Sequence, residues 1–360
     1  MNLSRICTLV DLKYYLACAL QLEHATIPPY LTAMYSLIPG TNTEVARILR
    51  VVAVEEMLHL ALVANLLNAV GGEPNLLSKD FIPDYPAYLP DGESEFQVSI
   101  EAFSPRALDT FLRIEQPSRK HSLVEGEAAK DRPYYTNLRA LLKVDPNVPR
   151  LAFDTIGDFY EAIREGFKYL YLTMGPALFK GDPARQLTPE YYYSGGGKLL
   201  PVVDLRSAFD AIQLISDQGE GYEGHIFGHE GELAHYYRFK QIQYGKYYMK
   251  EHCQQGHNDD HPPTGPELDV DFNSVYPIKP NAKLRDYPEG SELRAAAVDF
   301  AMSYNEFLGL INKAFNGQPA LLMESVPQMF RLKEKAQALV RNKIPGMENL
   351  HAAPIFKLPK

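Results

Sequence analysis

From about Glu44 to Val70 the sequence reads as one helix that is apolar on nearly every side, carrying Val45, Ile48, Leu49, Val52, Leu58, Leu62, Val63, Leu66 and Leu67 before Gly71-Gly72 stops it. A helix apolar all round has to be surrounded, so it belongs at the centre of a helical bundle. Glu56 and His59 stand inside this wrapping. Three residues apart on a helix, they lie about one turn apart on one face and can reach a common point. An ionised carboxylate buried there without a partner would be very costly or would take up a proton, and a metal cation removes that cost.

Other helical periodicities supply the neighbours. Between Val10 and about Ile38, Leu12, Leu16, Ala19, Ile27 and Tyr30 recur on a stripe that also holds Glu23. Pro28-Pro29 predict a kink or brief interruption just after Glu23, and Pro39 to Thr43 reads as a turn. From about Pro74 to Arg150 the texture becomes proline-rich, aromatic and polar, with a strand expected around Phe96 to Phe103 and no long helical pattern. A third helix holds Ile156, Tyr160, Ile163, Phe167 and Leu170 behind a Thr155-x-x-Asp158 capping signal. Tyr191 to Pro201, with its Tyr-Tyr-Tyr and Gly-Gly-Gly runs, reads as loop. The fourth helix begins near Leu205, breaks at Gly219 into a segment with five glycines, and resumes from Glu232 to about Met249. Two further helices are expected, Ser291 to Phe315 and Pro319 to Lys343. The expected fold is all-α: a four-helix bundle over 1–250 with a crossover at 74–150, a connecting loop at 251–288, and a helical extension at 289–360 packed on the bundle.

The chemistry-bearing residues fall at matching levels. Glu23 lies 17 residues before Gly40 and Glu56 lies 16 after it, so antiparallel helices would place both roughly 25 Å from the turn. A second Glu-x-x-His, Glu232 and His235, opens the later half of the fourth helix, and Glu220 stands before the inserted loop. The expected metal ligands are therefore Glu23, Glu56, His59, Glu220, Glu232 and His235, with His24 and Tyr30 as supporting groups behind them. Glu161 falls about 130° from the centre of its helix's apolar stripe and is expected to be exposed, while Asp158 is spent on capping. The third helix thus offers no inward carboxylate, and both a single metal and an asymmetric pair fit. The alternative is a buried ion-pair network with Arg47, Arg50 or Arg238. His225 and His229 are expected as exposed loop residues, the alternative being that they line the mouth of the site or bind a substrate carboxylate, and His252, His257 and His261 are expected as surface histidines.

Charge and cysteine content narrow the function classes. A formal charge of −9, from 36 basic and 45 acidic residues, leaves no positive excess for nucleic-acid phosphates or anionic lipid. Three scattered cysteines make neither a disulfide framework nor a thiolate zinc site, and a reducing compartment is expected. Asp11 and Lys13 interrupt the N-terminal apolar stretch, so no signal peptide is read. No run of about 18 uninterrupted apolar residues occurs. The expectation is a cytoplasmic protein acting on a small molecule, with neither nucleic acid nor membrane as partner and with homo-oligomerisation left open.

The runs Gln21-Leu22-Glu23-His24-Ala25-Thr26-Ile27-Pro28-Pro29-Tyr30, Val54-Glu55-Glu56-Met57-Leu58-His59, Asn65 to Gly72, Gln218-Gly219-Glu220-Gly221 and Glu232 to Phe239 resemble the ferritin-like domain of the iminophenylpyruvate dimer synthase family. That family includes coupling enzymes of violacein and rebeccamycin biosynthesis, larger chains that join two imines derived from aromatic amino acids. The resemblance implies a ferritin-like bundle with a metal site, and histidine with several carboxylates favours iron, mono- or dinuclear, with manganese next. The expected activity is that of a metal-dependent oxidoreductase or imine-coupling enzyme in secondary metabolism. The alternatives are an iron-binding, ferroxidase-type protein and a non-catalytic helical protein.

Overall fold

The computed structural model describes residues 6–89, 96–117, 133–144, 153, 155–193, 196–219, 221, 226–227, 231–250 and 261–358. Its first helix, α1 (Leu9–Ser36), is capped by Thr8, whose hydroxyl oxygen accepts from the backbone N–H of Asp11. The expected interruption at Pro28-Pro29 does not occur, and α1 runs through both prolines. Pro29 cannot donate to the carbonyl of Ala25, but the Tyr85 hydroxyl donates to that oxygen at 2.7 Å. A residue 60 positions away thus satisfies a group that the helix leaves open.

Helix α2 (Thr43–Ala69) forms a hairpin with α1, the most extensive helix pairing in the fold. It is long and apolar enough to cross a membrane, but 83% of its most apolar stretch is buried by the rest of the protein, which marks it as the central helix that its all-round apolar surface requires. It ends where the glycines predict, with Gly71 at φ +70° and the Gly72 N–H donating to the carbonyl of Leu67.

The crossover differs from expectation. Its described residues contain two ten-residue helices, α3 (Pro105–Ile114) and α4 (Pro133–Leu142). Around 96–103 there is only an isolated bridge between Ala87 and Val98. Helix α3 opens with a Ser104 cap and a proline in its first turn, a start signal readable from sequence. The remaining bundle helices are α5 (Ile156–Met174), α6 (Leu205–Gly219) and α7 (His235–Tyr244). Helix α5 pairs with α6 and touches α1, α6 and α7 lie against α2, and α3 packs on α7. The loop between α5 and α6 is pinned to α2 by Asn65, whose amide group donates to the carbonyls of Leu187 and Leu200 and whose oxygen accepts from Leu187 N–H.

The C-terminal hairpin of α8 (Glu292–Phe315) and α9 (Leu321–Val340) packs on α2 and α1. Regular strand among the described residues is confined to the antiparallel pair β1 (Lys343–Ile344) and β2 (Met347–His351). The architecture is an all-α bundle, α1, α2, α5 and the broken α6–α7, with a helical crossover and a C-terminal helical pair.

Candidate metal centre

Five side chains from four elements meet inside the bundle: Glu23 of α1, Glu56 and His59 of α2, Glu115 at the C-cap of α3, and His235 at the first turn of α7. They form two overlapping groups, Glu23–Glu56–His59 and Glu56–Glu115–His235, each with ligand atoms within 4.8 Å of one another, and Glu56 is common to both. All five are buried.

A single pattern orients the carboxylates. One oxygen of each is held by a hydroxyl, and the other faces an imidazole. Glu23 accepts from Tyr160 through Oε1 and turns Oε2 to within 3.3 Å of His59 Nδ1. Glu115 accepts from Tyr30 at 2.5 Å and sets Oε2 3.4 Å from His235 Nδ1. Glu56 accepts from Thr26 at 2.8 Å through Oε2, leaving Oε1 3.6 Å from His59 Nδ1 and 3.0 Å from His235 Nδ1.

Both imidazoles are anchored from behind by Nε2. His59 Nε2 pairs with Oε1 of Gln218 and His235 Nε2 with Oε2 of Glu55, each at 2.9 Å. Arg238 stands 3.3 Å from the other oxygen of Glu55. The Gln218 amide is oriented in turn, because its Nε2 donates to the carbonyl of Gly196. A carbonyl can only accept, so Gln218 presents its oxygen to His59, His59 carries its proton on Nε2, and its Nδ1 lone pair points inward.

Burial dominates the electrostatics. It pushes the Glu23 carboxyl up to about 8, against the pull of the Tyr160 hydroxyl and with Glu115 adding to the rise. It pushes Glu56 up to about 7, again with Glu115 contributing. His59 is held below its ordinary value by burial. For His235 burial acts the same way but is outweighed by Glu115, Glu55 and Glu56, which keep it well above. Among the described residues His235 Nδ1 nevertheless has no partner in hydrogen-bonding geometry, although Glu56 and Glu115 lie 3.0 and 3.4 Å from it. An unbonded buried ring nitrogen, a second inward Nδ1 and three carboxylate oxygens form a donor set that fits a first-row divalent cation.

Of the residues expected from sequence, Glu23, Glu56, His59 and His235 converge here, and Tyr30 supports the centre through Glu115. Glu232 belongs to neither group. The chain at Glu232 is not yet helical, Leu233 being bridged to Phe227, so Glu232 and His235 do not share a helix face. His24 also departs from expectation: its Nε2 pairs with the Tyr304 hydroxyl of α8 at 2.8 Å and its ring lies against Phe81, while burial depresses its pKa to about 3. Glu220, His225, His229, His252 and His257 lie outside the described residues. Glu161 pairs with Arg164 at 3.2 Å and is only partly buried.

Sequence reasoning passed over Glu115, Tyr160, Glu55 and Gln218. Tyr160 stood on the inward stripe of its helix with a polar tip that needs a partner when buried. The Ser104-Pro105 start would have exposed α3, but not the direction of Glu115 beyond its end.

The chain is 26% identical to dichlorochromopyrrolate synthase of Lentzea aerocolonigenes over 285 residues, 74% of this chain and 24% of that protein. It thus spans about a quarter of the relative's length. The crystal structure of a ferritin like protein from Caulobacter vibrioides matches the fold with a TM-score of 0.60 and 21% identity, covering 96% of this chain and 97% of that one. The family whose sequence model matches is described as Ferritin-like, and the match runs over residues 16–244, from within α1 to the end of α7. Because that match takes in well over half of the chain and every element that faces the centre, the chain belongs to the Ferritin-like family.

Proposed function

We propose that this protein is a metal-dependent oxidoreductase whose centre holds two iron ions sharing Glu56, and that it acts on a small aromatic or amino-acid-derived metabolite as a member of the iminophenylpyruvate dimer synthase group. The observation that carries the reading is the pair of inward Nδ1 atoms facing three buried carboxylates, each with one oxygen already held by a hydroxyl. Glu23, Glu56 and His59 would hold one ion, and Glu56, Glu115 and His235 the other. Iron bound there would supply one-electron chemistry with dioxygen or a peroxide. The chain's own contribution is to fix the ligands through Tyr160, Tyr30 and Thr26 and to exclude bulk water by burial. The similarity to dichlorochromopyrrolate synthase supports a substrate from secondary metabolism.

The test is metal analysis of the full chain after anaerobic loading with ferrous iron, followed by exposure to air with and without imines of aromatic 2-keto acids. Two ions per chain and substrate-dependent oxygen uptake are expected, with Glu115→Ala reducing the metal content to one ion. Clearly substoichiometric uptake of both iron and manganese by the folded protein would overturn the reading.

A further inference from the structure

The two inward histidines have outer partners of different charge. Behind His235 stands Glu55, a carboxylate buried to 1% exposure, and behind His59 stands Gln218, a neutral amide at 2% exposure. We propose that the centre is built from unequal halves, with the Glu55-backed His235 half taking up metal first and more tightly than the Gln218-backed His59 half. This inference rests on the two-ion reading above.

A carboxylate accepting an imidazole N–H makes the opposite ring nitrogen a stronger donor to metal, and removing such a partner typically costs about 10–100-fold in affinity. An amide oxygen fixes the ring equally well but brings no negative charge. The rings lie 5.5 Å apart and are nearly parallel, with an interplanar angle of 25°, and each faces Oε1 of Glu56. Each half also has one carboxylate of its own, Glu23 or Glu115, held in both cases by a tyrosine hydroxyl, so the difference in charge between the halves stands behind the rings. Arg238 approaches Glu55 through Oε1, the oxygen turned away from His235, so the guanidinium anchors the carboxylate without replacing its bond to the ring.

One loop holds both partners. Gly196, at φ +62°, presses so closely on Glu55 that an added Cβ would collide with the carboxylate, and its carbonyl takes the Gln218 amide proton. Glu55 and Gln218 are positioning residues, and Gly196 and Gly197 are what let the backbone reach them.

Cobalt(II) titrated into the metal-free full chain, in competition with a chelator and followed by visible absorption and bound-metal analysis, tests the proposal. The wild type should fill in two separable steps. Glu55→Gln should weaken the first step by about 10-fold or more and draw the two together, whereas Gln218→Ala should weaken the second and drive them apart. A general loosening of the fold would move both steps in the same direction. Should Glu55→Gln fail to fold, the sign of the change in Gln218→Ala decides alone. Two indistinguishable steps in the wild type, or variants that shift both steps alike, would overturn this inference and leave the metal centre standing. No stoichiometric binding by the wild type would overturn both.

Discussion

At Gly196 a side chain has no room, since its Cβ would meet the Glu55 carboxylate, and the backbone already occupies the left-handed region. Gly196→Ala should therefore lose about 1–2 kcal/mol of stability from the backbone alone and displace the group behind His235. Metal affinity should fall by about tenfold or more, measurable by chelator competition; unchanged affinity would show that Glu55 does not govern His235. Tyr160→Phe acts from the opposite side. The Tyr160 hydroxyl favours the ionised form of Glu23, so without it the carboxyl keeps its proton to higher pH, and the pH at which metal binding is half-maximal should rise. A profile that stays in place would mean that the bond has no electrostatic part in ligation. Glu23, Glu56 and His59 were legible in sequence because their separation is set by helical spacing across one tight hairpin. Glu115 and Tyr160 were not, because their positions depend on how a crossover helix and α5 settle on that hairpin.

Helix α1 shows at the scale of one element why local rules mispredict. Two consecutive prolines in a helix interior leave carbonyls without their N–H partners, and the natural expectation is a break. The Tyr85 hydroxyl removes part of the reason for one by donating to Ala25. Tyr85→Phe should leave that buried oxygen unsatisfied and cost about 1–3 kcal/mol, read as a lower urea midpoint with unchanged slope. An unshifted midpoint would show that Tyr85 does not sustain the helix there. The centrality of α2 was readable because it follows from composition around a single helix. The helices of the crossover were missed because each is only ten residues long, too short for periodicity to stand out against a proline-rich background.

For the whole molecule, the buried carboxyls of Glu23 and Glu56 make metal and protons competitors. The folded chain holds Glu23 up to about 8 and Glu56 up to about 7, whereas an unfolded chain releases those protons near pH 4.3. The folded state therefore binds more protons across that interval, and the associated stability, full below the unfolded value, is lost as pH rises through the folded ones. His235, also raised, acts in the same direction above about 6.5. His59, lowered by burial, opposes them only below that point. The melting temperature of metal-free protein should fall between about pH 6.5 and 8.5, and bound metal, standing in for the protons, should flatten that fall. A metal-free midpoint that rises over this range would contradict protonated carboxylates. The sequence by itself determined the central helix, the Glu56–His59 face and the level of Glu23, since all three follow from helical repeat and burial along one stretch of chain. Only the tertiary structure decided that α3 brings Glu115, that the Tyr160 hydroxyl of α5 meets Glu23, and that His235 enters without Glu232, because those outcomes depend on where separate elements pack.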